Sequence, residues 1–117
     1  MSSVPLIPLL ERYLELTSKR HELLVGNMAN VDTPGYQTRD IDFQGELRRV
    51  MDNQGASLTP VAHTVRGLLQ RPDGNNVDLE REGLMVAENQ MQYRIGVQIL
   101  RSEFRRLLTA IKEGNQS

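Results

Sequence analysis

The chain contains neither cysteine nor tryptophan. Without Cys, no disulfide framework and no thiolate metal site can form. Aromatic residues make up only 4% of the 117, two Phe and three Tyr, which is poor material for a dense globular core. Charge is balanced as well: 14 basic residues stand against 15 acidic ones, for a net charge of −1. That balance removes the basic excess expected of a nucleic-acid or acidic-membrane binder. No apolar run approaches the ~18 residues that a membrane-spanning helix needs. The opening stretch, Met1-Ser-Ser-Val-Pro-Leu-Ile-Pro-Leu-Leu-Glu11, has no basic leader and no small-residue cleavage site after a long apolar run. No cleaved secretory signal is therefore expected.

Catalytic constellations are missing too. His21 and His63 are the only histidines, and no HExxH pattern or Cys partner accompanies them. There is no G-x-S-x-G elbow, P-loop or GxGxxG. Asp73, Asn75 and Asp78 have some look of a calcium loop, but the twelfth position is Leu84, where a bidentate Glu is required. A turn followed by a helix N-cap accounts for them better. No enzyme activity, cofactor or metal is expected.

Two long helical patterns are present. Leu9, Tyr13, Leu16, Arg20, Leu23 and Asn27 recur at alternating spacings of four and three, beside a second row of Leu10, Leu14, Thr17, His21, Leu24 and Met28. They predict an amphipathic helix over 6–30, with Pro5 and Pro8 before or within its first turn. The polar middle of the stripe, at Thr17, Arg20 and His21, suits a coiled-coil seam better than a compact core. A second helix is predicted over 78–113, capped by Asp78, with Glu80 and Glu82 in its first turn and Gly114 just past its end. One of its rows is Tyr93, Val97, Leu100, Phe104, Leu107 and Ile111; another begins at Leu84, Ala87, Met91 and Ile95. One partner helix can cover only one of the two rows, so the other should seek a second subunit. Leu9, Tyr13, Leu16, Leu23, Met91, Tyr93, Val97, Leu100, Phe104, Leu107 and Ile111 are the candidate interface residues.

Between the helices, residues 31–77 show no strong periodicity, and a flexible connector is expected there. Asp42 can cap a short helix near 42–52, in which Phe43, Leu47, Val50 and Met51 share a face and which Asn53-Gln-Gly55 ends. Residues 57–67 suggest an extended segment or a small hairpin, and Arg71-Pro-Asp-Gly-Asn-Asn76 a turn cluster. At the start of the connector, Pro34 pushes Thr33 out of the helical region, and Pro34-Gly35 fits the centre of a type II turn.

The lettering around that turn is specific. Asn27-Met-Ala-Asn-Val-Asp-Thr-Pro-Gly-Tyr36 resembles the N-x-A-N-x-x-T-P-G-Y signature of bacterial flagellar rod and hook axial proteins. Thr38-Arg-Asp-Ile-Asp-Phe43, Asp73-Gly-Asn-Asn-Val-Asp-Leu-Glu-Arg-Glu82 and Ala87-Glu-Asn-Gln-Met-Gln-Tyr93 resemble the proximal rod proteins of the FlgB family. The likeness covers both ends of the chain and little of 44–72; this middle is shorter than expected of many relatives, which tells against a separate outer domain. It implies a mainly α fold of one rod-type domain, its two terminal helices paired as a coiled-coil-like hairpin. It also implies an assembly motif of Asn27, Ala29, Asn30, Thr33, Pro34, Gly35 and Tyr36. As function it implies a structural subunit of the proximal rod, self-associating into a helical tube. Its partners would be other rod proteins, the rod-base adaptor and the flagellar type III export apparatus. Phe43-Gln-Gly-Glu-Leu47 fits the short Phe-x-x-x-hydrophobic pattern associated with export-gate docking, although both side chains also share one helical face. Periodicity alone would equally suit a small cytoplasmic two-helix adaptor or export chaperone. The TPGY turn and the Asp-Gly-Asn-Asn-Val-Asp stretch favour the rod subunit.

Overall fold

A computed structural model describes residues 6–52 and 59–115. It is mainly α. Helix α1 spans Leu6–Ala29, β1 Arg39–Ile41, α2 Phe43–Asp52, β2 Ala62–Thr64 and α3 Leu79–Asn115. The helices begin where their caps lie. Asp42 accepts from the Gly45 amide at 3.2 Å to open α2, and Asp78 accepts from the Glu80 and Arg81 amides at 3.1 and 3.3 Å to open α3. At the other end α3 runs through Gly114 to Asn115, past the stop expected at 113. A single Gly costs a helix only about 1 kcal/mol.

Helices α1 and α3 pack along one another, antiparallel. Asn27 meets Glu82 at one end, Thr17 meets Asn89 in the middle, and Tyr13 and Leu14 lie against Gly96. A Cβ on Gly96 would stand 2.9 Å from both the Tyr13 ring and the Leu14 side chain, so the helices approach to a distance only Gly allows. On its other flank α1 holds α2 and the ribbon. Tyr13 meets Phe43 edge to face at 5.2 Å between ring centroids. The small core is Leu10, Leu16, Leu24, Ile41, Val50 and Val77.

The connector departs from the expectation of a loose 31–77 segment. Strands β1 and β2 pair antiparallel, with Arg39 opposite Thr64, Asp40 opposite His63 and Ile41 opposite Ala62. The Val65 amide extends the ribbon by donating to Thr38 O at 2.8 Å. The extended segment around 62–64 therefore finds its partner 23 residues upstream (Ile41 opposite Ala62 is the closest pairing in sequence, at 21), not in a local hairpin. Arg20 of α1 pins the ribbon, its guanidinium forking onto both carboxylate oxygens of Asp40 at 3.0 and 3.1 Å. Buried Glu46 pins the other side, accepting from Arg49 and from the Val61 amide at 3.1 Å. The stop expected at 53–55 lies outside the described residues.

The molecule is long: 71 × 26 × 17 Å, with a radius of gyration of 18.6 Å. A compact chain of this length would have about 13 Å. It exposes 8125 Å² for 13.3 kDa, where a compact monomer exposes about 6,450 Å². No helix among the described residues is long and apolar enough to cross a membrane.

Candidate functional site

The motif after α1 and the stretch before α3 lock together. Asn27, fully buried on the last turn of α1, uses its whole hydrogen-bonding capacity. Its Nδ2 donates to Arg39 O at 2.8 Å and to Glu82 Oε1 at 2.9 Å. Its Oδ1 accepts from the Tyr36 hydroxyl at 2.9 Å and the Arg39 amide at 3.0 Å. One amide thus joins α1, the turn segment, β1 and α3.

Asn75 and Asn76 complete the clasp from the other side. Asn75 donates through Nδ2 to Asn30 O and Thr33 O, both at 2.8 Å, and its Oδ1 accepts from the Val77 amide. Asn76 Oδ1 accepts from the Thr38 amide at 2.7 Å and its hydroxyl at 2.8 Å, while Nδ2 donates to Gln37 Oε1. Arg71 closes the rim, donating to Val77 O at 2.9 Å and to Val31 O. Both stretches read locally as turns, yet their side chains are spent on each other.

Two glycines let the turns meet. Gly35 has φ +76°, within a bend closed by the Tyr36 amide donating to Thr33 O at 3.2 Å. Gly74 has φ +87°, and a Cβ there would lie 3.2 Å from the Gly35 Cα. The Gly35 amide donates to Asp73 O at 2.9 Å, so backbone meets backbone with no side chain between.

Glu82 is the one charged group sealed into the clasp. Burial raises its carboxyl above the ordinary glutamate range; Arg81, the Asn27 amide and Arg20 oppose this, and Asp40 adds to it. Burial also raises the Tyr36 phenol, with Arg39 opposing and Glu82 adding. No group of three or more His, Cys, Asp or Glu among the described residues is placed to hold a metal. The arrangement fixes the geometry of the two stretches relative to α1 and α3.

Of the motif residues, Asn27 is buried, Asn30 and Tyr36 are half-buried, and Ala29, Thr33, Pro34 and Gly35 face outward. Sequence reasoning missed Arg20, Asp40, Arg71, Asn75 and Asn76 as bonding groups. The repeated Asn in both stretches, more amides than two turns need, was the available signal.

The candidate interface residues separate. On α1, Leu16 is buried, and Leu9, Tyr13 and Leu23 are half-buried; on α3, Val97 and Leu100 are half-buried. Met91, Tyr93, Phe104, Leu107 and Ile111 are exposed. Phe43 and Leu47 are half-buried on α2. The face of α3 that meets α1 is instead marked by Glu82, Asn89 and Gly96, its only buried residues, spaced seven apart. At 3.6 residues per turn, Leu84, Met91 and Ile95 fall on the opposite side of the helix. They are 58%, 64% and 48% exposed.

No family model matches the chain. It is similar to the flagellar basal body rod protein FlgB of Salmonella typhimurium, 35% identical over 87% of this chain and 89% of that one. The protein of the same description from Escherichia coli is 33% identical over the same shares. That from Cereibacter sphaeroides is 36% identical over 85% of this chain and 88% of its own.

Proposed function

The chain belongs to the FlgB family of flagellar basal body rod proteins, and from that premise we propose how its surfaces serve a rod. Its role is structural: it is a flagellar rod subunit. In this reading α1 and α3 pair in the manner of a coiled-coil hairpin and enter a helical tube through their remaining faces. The clasp holds the turn at Thr33–Tyr36 in one shape, so that Pro34 and the outward residues beside it present the same surface in every copy. The chain is made in the cytoplasm and exported by the flagellar type III apparatus, and its neighbours are other rod proteins and the rod-base adaptor. Phe43 and Leu47 are half-buried on α2, Phe43 against the Tyr13 ring, so their use in export-gate docking would be favoured by presenting the chain unfolded.

The observation that supports assembly is the outward row of α3. Leu84, Met91 and Ile95 share the side away from α1, and an apolar stripe left in water on an elongated molecule is a contact awaiting its partner. The test is Leu84→Ser with Met91→Ser. Stability of the purified chain should stay within about 1 kcal/mol of the parent, since each exposed substitution costs at most about 0.5 kcal/mol. Motility of cells relying on the variant, and its recovery in purified basal bodies, should be lost. Normal motility would show that this face is not a contact. Retention of the parent chain in the cytoplasm, absent from basal bodies, would favour the adaptor or chaperone.

A further inference from the structure

We propose that a cleft between α1 and α3 binds a neutral sugar, a use of the molecule apart from the row that α3 offers to a rod. On one flank of the polar seam, the stretches 17–22 of α1 and 89–94 of α3 line a depression of about 530 Å³, within the size range of small-molecule sites. At 3.6 residues per turn, Gln90, Tyr93 and Arg94 fall between the buried face of α3 and its outward row. A second depression of about 510 Å³ adjoins the first and shares Ser18, Glu22 and Tyr93 with it, so the cleft runs on along α1 towards Glu11.

Asn89, on the floor of the cleft, points to a ligand. It is 2% exposed, its Nδ2 donates to Thr17 O at 2.7 Å, and its Oδ1 is buried with no partner among the described residues. The Thr17 carbonyl can only accept, so the amide cannot be turned round, and the unmatched position is an acceptor. The other buried Asn side chains, Asn27, Asn75 and Asn76, are satisfied through both of their polar atoms. A buried acceptor without a donor keeps its desolvation cost, which a hydrogen bond from a ligand relieves.

The other groups decide which donor fits. Thr17 gives its hydroxyl proton to Leu14 O at 2.7 Å and can otherwise only accept. Glu22 accepts, Arg94 donates, and Ser18, His21 and Gln90 can do both. Ions of either sign are disfavoured: Arg94 and Lys19 stand against a cation, and Glu22, with Glu11 and Glu15 further along, against an anion. A docking helix needs an apolar groove, and here Tyr93 and Leu14 are the only large apolar side chains. A sugar meets the whole set. Each hydroxyl donates and accepts at once, matching Asn89 Oδ1 beside Glu22 and Arg94, and the C–H face of a pyranose packs on an aromatic ring. Tyr93, 44% exposed where the two depressions meet, presents such a ring, and the second depression leaves room for a second sugar.

The test is a titration of the purified chain with three neutral disaccharides, maltose, cellobiose and N,N′-diacetylchitobiose, followed by amide NMR shifts. At least one should saturably shift residues 14–22 and 89–94, the two walls of the cleft, with a dissociation constant in the millimolar range. Tyr93→Ala, a change to an exposed side chain, should weaken that binding about three- to tenfold while leaving the rest of the spectrum in place. No saturable shift with any of the three sugars would overturn the proposal. So would equal affinity of the parent and Tyr93→Ala, or equal shifts from glycerol at the same hydroxyl concentration. Tighter binding of acetate or guanidinium than of every sugar would overturn the choice of a neutral ligand, and shifts centred elsewhere would overturn the choice of this cleft.

Discussion

Helices α1 and α3 lie side by side and both are amphipathic, yet their insides are opposite in kind. On α1 the buried positions include Leu10, Leu16 and Leu24, because α3 covers one flank while α2 and the ribbon cover the other. On α3 the buried positions are Glu82, Asn89 and Gly96; Met85, Val86, Val97 and Leu100 are half-buried, and Leu84, Met91, Ile95 and Phe104 are exposed. Helix α1 is covered on two flanks within the chain, with Leu6, Val25 and Met28 left exposed. Helix α3 meets its partner helix through a seam whose fully buried positions are polar or glycine, and much of its apolar surface is exposed. A polar seam of this kind also fixes register, since sliding α3 by one turn would leave Asn27 and Glu82 buried without each other.

The largest expected effect comes from breaking that seam at its hub. Asn27→Ala removes a fully buried amide and leaves the Tyr36 hydroxyl, the Arg39 amide and carbonyl and the Glu82 carboxylate each short of a partner. A loss of about 3–5 kcal/mol is expected, measured by urea denaturation, because the groups left behind keep their desolvation cost. Asn27→Asp should be worse, placing a second carboxylate beside Glu82. A loss below about 1 kcal/mol would show that water enters and replaces the amide.

This hub also shows how far the sequence could be read. The three helices were legible because apolar spacing and the caps at Asp42 and Asp78 are local signals, and the helix bounds follow them closely. The contact seam was not. Periodicity reports which residues are apolar, not which face meets the neighbour, so the rows through Tyr93 and Leu84 drew attention away from Glu82, Asn89 and Gly96. The clasp was hidden for a different reason. Turn chemistry explains Asn30 and Asp73 locally, whereas Asn75 finds Asn30 O across 45 positions and Asn76 finds Thr38 across 38. The extended segment within 57–67 was legible, but its pairing with 39–41 was not, three residues on each side being too short to show alternation.

Two glycines of α3 sharpen the comparison at intermediate size. Gly96→Ala adds a methyl 2.9 Å from the Tyr13 ring and the Leu14 side chain. The ring cannot swing freely, since its edge-to-face contact with Phe43 ties it to α2. Overpacking of about 1–3 kcal/mol should therefore outweigh the helix-propensity gain of about 1 kcal/mol. Gly83→Ala meets nothing within 4 Å and should show the gain alone. Thermal midpoints moving in opposite directions would bear out a seam closed only at 96; a rise in both would mean that the helices can part there without loss.

The smallest effect is in the pH dependence of the seam. Burial raises the Glu82 carboxyl, so between the ordinary glutamate pKa of about 4.3 and its raised value the folded chain holds more protons than the unfolded one. The sign follows: this contribution is fully present below the unfolded pKa and is lost as pH rises through the folded one. Glu82→Gln keeps the shape and can still accept from Asn27 Nδ2, but it cannot titrate. The groups facing position 82, namely Arg81, Asp40, Arg20 and Tyr36, remain in both proteins. Subtracting the variant's stability profile from the parent's should therefore leave a curve that falls as pH rises through that window and is flat above it. A difference curve rising with pH would mean that Arg81 and Asn27 stabilise the carboxylate more than burial penalises it. The seam of α3 would then be held by charge, and its polar interior would favour the ionised clasp.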